Sequence, residues 1–256
     1  MRFDIPALTS QPAPTGASGF SGLTSVLADV LAPRVCLGCR VEGSWLCTPC
    51  VGGVERDPNV ACVGCGRPSR FGVTCGLCRS AFPIQSVVAL VNYRDPVVQQ
   101  LIQTVKYASA HDAADAFATL VRDGFDRTAV AELRAEVGPS PLLVPVPLHR
   151  RRLAERGFNQ SQCIATAVAA TGWGTIVPDG AFARRKCTLP QATSGPVQRF
   201  TNVEDVFTCS EPAAVAGRPL VLVDDVVTTG ATLAACAREL RRVGAGPVWG
   251  FALARG

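Results

Sequence analysis

The chain has 256 residues, 48% of them hydrophobic and 18% charged, with a formal net charge of +5. This is the make-up of an ordinary globular protein, with room for one large domain or two smaller ones. The modest positive charge suits an anionic ligand without arguing for nucleic acid. With no apolar run of about 18 residues, no membrane insertion is expected.

Residues 1–20 are rich in Pro, Ser, Thr, Ala and Gly and hold one basic residue and no continuous apolar stretch. They read as a flexible tail rather than a secretory signal, so a cytoplasmic location is expected. Next, "SGLTSVLADVLAP" sets Leu23, Val26, Leu27, Val30 and Leu31 at helical spacing until Pro33 ends the helix.

Eight of the twelve cysteines lie between positions 36 and 78, while Cys163, Cys187, Cys209 and Cys236 are scattered singly. The eight form four C-x-x-C units: Cys36 and Cys39, Cys47 and Cys50, Cys62 and Cys65, Cys75 and Cys78. Disulfides do not persist in the expected compartment, and a redox motif needs one pair rather than four. Two C-x-x-C units complete a tetrahedral thiolate shell, so the spacing points to one or two Zn²⁺ sites. Sequential and interleaved pairing are both open at this stage. Four thiolates per ion leave no position for water or substrate, which makes these sites structural. Trp45, Leu46, Phe71 and Leu77 are too few for an independent core, so metal would supply much of the segment's folding free energy.

From residue 85 the pattern alternates. "SVVALVNY" reads as a strand, "PVVQQLIQTVKY" as a helix, and "DAADAFATLVRDGFD" and "RTAVAELRAEVG" as two more helices. "PLLVPVPL" reads as a buried strand, "NQSQCIATAVAATG" as a helix closed by Gly172, and "VEDVFTC" as a strand. "RPLVLVDDV" is apolar continuously rather than alternately, the mark of a central strand. The helix "GATLAACARELRRVG" and the strand "PVWGFALA" finish the chain. Such alternation predicts a parallel α/β sheet, with ligands beyond the carboxyl ends of its strands. The expected organisation is a tail over 1–20, a helix and double zinc ribbon over 21–82, and an α/β domain over 83–256.

Three loops fall at expected strand ends. In "VLVDDVVTTGAT", Asp224 and Asp225 close the apolar run, and Thr228, Thr229, Gly230 and Thr232 lead into a helix. Hydroxyls, a flexible glycine and a positive helix end make a phosphate cradle. It is neither a Walker A loop nor a dinucleotide fingerprint. Carboxylates pair poorly with phosphate and well with vicinal hydroxyls, so the combination suggests a ribose 5-phosphate unit. The second loop, "VPVPLHRRRLAERGFNQ", sets His149, Arg150, Arg151, Arg152 and Arg156 against one acid, Glu155. The guanidinium fork matches phosphate oxygens. The third, "ARRKCTLPQ", carries Arg184, Arg185 and Lys186.

"VLVDDVVTTGAT" resembles the phosphoribosyl-diphosphate motif of type I phosphoribosyltransferases. With the cysteine-rich head, "KY", "RGFNQ" and "QRFTNVEDVF", the chain from about residue 23 onward resembles the ComF family of competence-associated proteins. The stretch "ATSGPVQRF" departs from that pattern in carrying Gly and Pro where a helical segment is expected. The resemblance implies a type I phosphoribosyltransferase-like fold. Asp224 and Asp225 would bracket the ribose 2′- and 3′-hydroxyls, and Val227, Thr228, Thr229, Gly230, Ala231 and Thr232 would hold the 5′-phosphate. The His149–Arg156 loop would bind pyrophosphate. Arg184 and Lys186 would close over the donor, phosphoribosyl diphosphate with Mg²⁺. A transferase acting on an unnamed acceptor is the first expectation. A single-stranded-DNA adaptor working with DNA-uptake proteins, or a donor-sensing regulator without catalysis, are the alternatives. The low aromatic content, 6%, counts against the adaptor.

Overall fold

The computed structural model describes residues 33–56, 61–107, 113–185 and 206–256. The expected tail, the helix over residues 23–31, Lys186, Cys187 and the "ATSGPVQRF" stretch lie outside the described residues.

Five parallel strands form the main sheet: β1 (Val87–Asn92), β2 (Leu142–Pro145), β3 (Thr175–Ile176), β6 (Leu220–Val227) and β7 (Val248–Arg255). Their spatial order is β1-β7-β6-β2-β3, every neighbour parallel. A separate antiparallel ribbon pairs β4 (Phe182–Arg184) with β5 (Phe207–Cys209). The described helices are α1 (Thr48–Gly53), α2 (Pro96–Tyr107), α3 (Ala114–Gly124), α4 (Thr128–Val137), α5 (Arg150–Arg156), α6 (Gln160–Ala169), α7 (Pro212–Val215) and α8 (Ala231–Arg242). The expected parallel sheet flanked by helices is present. The β4–β5 ribbon is the departure, since the first of its two strands reads as an open loop in sequence.

Strand pleat divides the core in two, because successive side chains leave opposite faces. On one face Val88, Leu90, Leu143, Val221, Val223, Phe251 and Leu253 meet α2, α3 and α6. On the other, Val87, Ala89, Leu142, Val144, Leu220, Leu222 and Ala252 meet α8, through Leu233, Ala237 and Leu240. Both faces of β6 and β7 are covered, which is why those strands read as unbroken apolar runs.

The cysteine-rich segment wraps the open edge of the sheet. Thr74 donates its N–H to the Gln85 carbonyl just before β1, and Asn92 at its end donates to Glu55. An uncovered edge would be a template for unwanted pairing, and this wrapping removes it. Cys36, Leu37, Leu46 and Val51 join one core, while Val63, Phe82 and Ile84 join the other. Gly72, between Cys65 and Cys75, brings the segment's backbone against the start of β1. Its φ is +68°, and a Cβ there would lie 2.1 Å from the Val87 carbonyl oxygen.

Gly72→Ala combines that clash with a left-handed backbone and should cost about 2 kcal/mol or more in urea unfolding. Gly52→Ala, in a helix with open space around the position, should be neutral or slightly stabilising.

Candidate functional site

The connection leaving β2 runs through α6 to β3 on one side, and that leaving β6 runs through α8 to β7 on the other. Adjacent strands whose connections diverge leave a crevice at their carboxyl ends, where open α/β sheets bind ligands. Asp224, Asp225 and the loop after them end β6 at that crevice.

The pleat separates the two carboxylates, and each has its own partner. Asp224 Oδ1 accepts from Ser161 Oγ at 3.1 Å and from the Asp225 N–H at 2.9 Å. Asp225 Oδ2 pairs with Lys106 Nζ at 2.7 Å, while its Oδ1 accepts the Val226 N–H. Ser161 is aimed by Asn159, whose Oδ1 caps α6 at the Ser161 N–H and whose Nδ2 donates to the Val146 carbonyl. Burial, and then the neighbouring charge of Asp225, push the Asp224 carboxyl up to about 7 against the opposing hydrogen bonds and Lys106. Its protonation therefore changes close to neutral pH.

Asp224 and residues 226–233 line one small concavity of about 30 Å³. Gly230, at φ +67° and ψ 4°, is the N-cap residue of α8 and supplies no capping side chain. The first-turn residues of this twelve-residue helix, Ala231, Thr232 and Leu233, line the concavity, and the Ala231 N–H meets Thr229 Oγ1 at 3.5 Å. Uncapped N–H groups with the helix dipole behind them favour an anion.

The basic loop differs from its sequence expectation. Residues 150–156 form the helix α5, because Arg, Leu, Ala and Glu are good helix formers. His149 Nδ1 caps it at the Arg151 N–H, and Gly157 closes it in the left-handed region. The basic side chains therefore radiate around a helix instead of converging. Arg151 pairs with Glu155 at 2.9 Å, and Arg156 donates to Gln160 at 3.2 Å. Arg150 lines a hollow of about 440 Å³ with Arg184, Arg185, Thr208 and Ser210. His149 is bridged to Arg184, and the Arg184 guanidinium lies 5.5 Å from the Phe207 ring centroid. Arg152 is half-buried on the same helix.

The eight cysteines gather sequentially, Cys36 with Cys39, Cys47 and Cys50, and Cys62 with Cys65, Cys75 and Cys78. Within each set all sulfurs lie within 4.8 Å of one another. Measured pairs are 3.6 Å for Cys36–Cys47 and Cys39–Cys47, and 3.8 Å for Cys65–Cys75. Tetrahedral Zn–S bonds of about 2.3 Å imply sulfurs about 3.8 Å apart, so both shells suit Zn²⁺. Gly38 and Gly64 make room for them: a Cβ at either would lie 2.8 Å from Cys50 Sγ or 2.9 Å from Cys78 Sγ. Burial raises the Cys36 and Cys62 thiols, but backbone N–H groups outweigh it and bring each down to about 6. Cys50 and Cys78 are pushed up to about 12, Cys50 mainly by its Cys47 neighbour and Cys78 mainly by burial. Four thiolates crowded together need a cation to be ionised at once. Among the described residues these are the groups of His, Cys, Asp and Glu close enough to share an ion, and no helix there is long and apolar enough to cross a membrane.

Lys106 and Ser161 are site residues that sequence reasoning passed over, although Lys106 opens the "KY" it singled out and Ser161 directly follows "RGFNQ". Elemental analysis should find two zinc ions per chain, and one after Cys39→Ala or Cys65→Ala. Because folding raises the Asp224 pKa, the folded chain binds more protons than the unfolded one between about pH 4 and pH 7. Stability should therefore fall as pH rises through that window. Asp224→Asn should flatten this slope in unfolding curves recorded across pH.

No protein-family model matches the chain. It is 32% identical over 232 residues to the DNA utilization protein YhgH of Escherichia coli K12, covering 87% of this chain and 97% of that protein. It is 27% identical to competence protein F of Haemophilus influenzae, covering 86% and 96%, and 26% identical to competence protein ComFC of Bacillus subtilis, covering 82% and 84%. Similarity at 32% identity over 87% of the chain settles the grouping: the chain belongs to the ComF family.

Proposed function

We propose that the chain binds phosphoribosyl diphosphate with Mg²⁺ in the crevice between β2 and β6 and transfers its phosphoribosyl group to a nucleophilic acceptor. One observation carries this reading: a carboxylate, Asp224, and an uncapped helix N-terminus line the same concavity. An anion cradle alone suits many phosphates. A carboxylate in its wall requires that the ligand also bring hydroxyl donors, which a ribose phosphate does.

In this reading the N–H groups and hydroxyls of Thr228–Thr232 hold the 5′-phosphate. Asp224 and Asp225 accept the ribose hydroxyls, with Ser161 and Lys106 fixing the two carboxylates in place. Lys106 also offsets the charge of a carboxylate pair that would otherwise repel. Arg184, with Arg150 near it and Lys186 in the adjoining segment, draws on the pyrophosphate. His149, Arg151, Arg152 and Arg156 add positive potential around it. Mg²⁺, arriving with the donor's own oxygens, would neutralise pyrophosphate charge as the bond to C1 breaks. The acceptor's electron pair forms the new bond at C1, and pyrophosphate leaves with the old one. Positive charge on the ribose ring is balanced by the nearby carboxylates. The domain organisation proposed is a zinc-binding head over 21–82 and a donor-binding domain over 83–256, acting in the cytoplasm. The names of the relatives, for competence and DNA utilization, support a role beside DNA uptake.

The hollow lined by Arg150, Arg184 and Arg185 also favours a second reading, contact with the backbone of single-stranded DNA as an adaptor of uptake. Calorimetry with phosphoribosyl diphosphate and Mg²⁺ tests the first reading. Wild type should bind, and Asp224→Asn with Asp225→Asn should weaken binding by about a hundredfold, the loss of two charged hydrogen bonds. Absence of heat with wild type would overturn it. A gel shift with single-stranded DNA at low salt, lost in Arg150→Ala/Arg185→Ala, checks the second.

A further inference from the structure

The two cysteine clusters have the same spacing logic but different neighbours. Val63 sits between the thiols of Cys62 and Cys65, so its backbone is set by two ligands of one ion. It is buried, at 6% exposure. A Cβ on Gly230 would lie 2.4 Å from Val63 Cγ2 and 3.5 Å from Phe82 Cε1. Val63 thus presses on the backbone of the residue that begins α8 and aims its N–H groups. Phe82 is held by the same cluster: its N–H donates to the Cys78 carbonyl at 2.8 Å, and a Cβ on Gly64 would reach its ring at 3.0 Å.

Two guanidinium bonds lock this contact from the far end of the chain. Arg238 of α8 donates to the Ala81 carbonyl at 2.8 Å, and Arg255 at the end of β7 donates to the Ala61 carbonyl at 3.0 Å. The first cluster does something else. Cys36, Leu37 and Leu46 enter the core on the opposite face, and its knuckle glycine, Gly38, approaches Val97 at the start of α2.

From this asymmetry we propose that the second cluster, Cys62, Cys65, Cys75 and Cys78, is a positioning element of the anion loop. Val63 and Phe82 are its contact residues, and its metal occupancy sets the affinity of that loop for phosphate. The first cluster is a stability element alone. The inference rests on reading residues 224–232 as the donor site. Gly230 can occupy several backbone regions at little cost, so the wall beside it selects the left-handed one. With the ion bound, the knuckle holds that wall still. Without it, the four sulfurs lose the bonds that tie them together, the knuckle loosens, and the N–H groups lose their common aim. Coupling of this kind is reciprocal, so a bound donor must also protect the second cluster.

Two measurements on the full zinc-loaded chain test this. Calorimetry with phosphoribosyl diphosphate and Mg²⁺ compares wild type with Val63→Ala, which keeps all eight thiols, and with Val97→Ala, the α2 residue that Gly38 of the first cluster approaches. Val63→Ala should bind at least about fivefold more weakly with two zinc ions still present, and Val97→Ala should match wild type. Alkylation by iodoacetamide, followed by mass spectrometry, compares Cys65 with Cys39, both exposed. The donor should slow alkylation of Cys65 by a similar factor and leave Cys39 unchanged. This second readout uses wild type and decides the matter even where a variant fails to fold. No binding by wild type would overturn the donor reading and this inference with it. Binding by wild type with Cys65 and Cys39 equally affected would overturn the inference alone.

Discussion

A strand buried on both faces has no water to offer a charge, yet β6 ends in two carboxylates. That tension organises the crevice. Leu220 to Val223 lie in the two cores, and a charge among them would carry a large desolvation penalty. One residue further on, the sheet stops being covered, and Asp224 can keep partial access to solvent. The strand thus delivers its carboxylates to the boundary where burial still stiffens them without excluding a ligand.

The partners of the two carboxylates come from different helices. Ser161 belongs to the helix between β2 and β3, and Lys106 to the helix that precedes β2. Two side chains adjacent in sequence are therefore set by two different helices that pack on the same face of the sheet. This divides their chemistry. Asp225 has a cation beside it, whereas Asp224 has burial and a like charge, and its carboxyl is driven upward as a result. A pair of this kind presents one carboxylate neutralised by a cation and one held by neutral donors.

Without its thiols the cysteine-rich segment has little to fold around, and its value to the rest of the chain lies in where it is fastened. It closes the β1 edge, feeds residues into both cores and meets the α8 N-terminus at Gly230. A short, metal-held knuckle is stiffer than an apolar loop of equal length, because two of its residues are bonded to one ion. That stiffness suits a wall against which a glycine backbone rests. The same glycine reads, in sequence, only as a flexible point in a phosphate loop.

The parallel sheet, its longer strands and helices and the two sets of four cysteines are legible in the residues, because each is a local periodicity or spacing. "VLVDD" followed by a Thr-Gly loop reads as a candidate anion site for the same reason: strand, carboxylates and helix start are contiguous. What sequence does not carry is which distant groups meet. Arg150 to Arg156 read as a basic loop, but helix propensity winds them into α5, so only part of the charge faces the hollow with Arg184. Lys106 and Ser161 lie about 120 and 60 residues before the carboxylates they hold, and Val63 lies 167 before Gly230. The residues alone determined the kinds of chemistry present, since ligand type and local turn geometry are properties of short segments. Tertiary structure alone decided the pairing of cysteines, the separate environments of Asp224 and Asp225, and the contact of one cysteine knuckle with the Thr-Gly loop. Each of these depends on strand order and on which face of the sheet an element covers, and no local pattern encodes that.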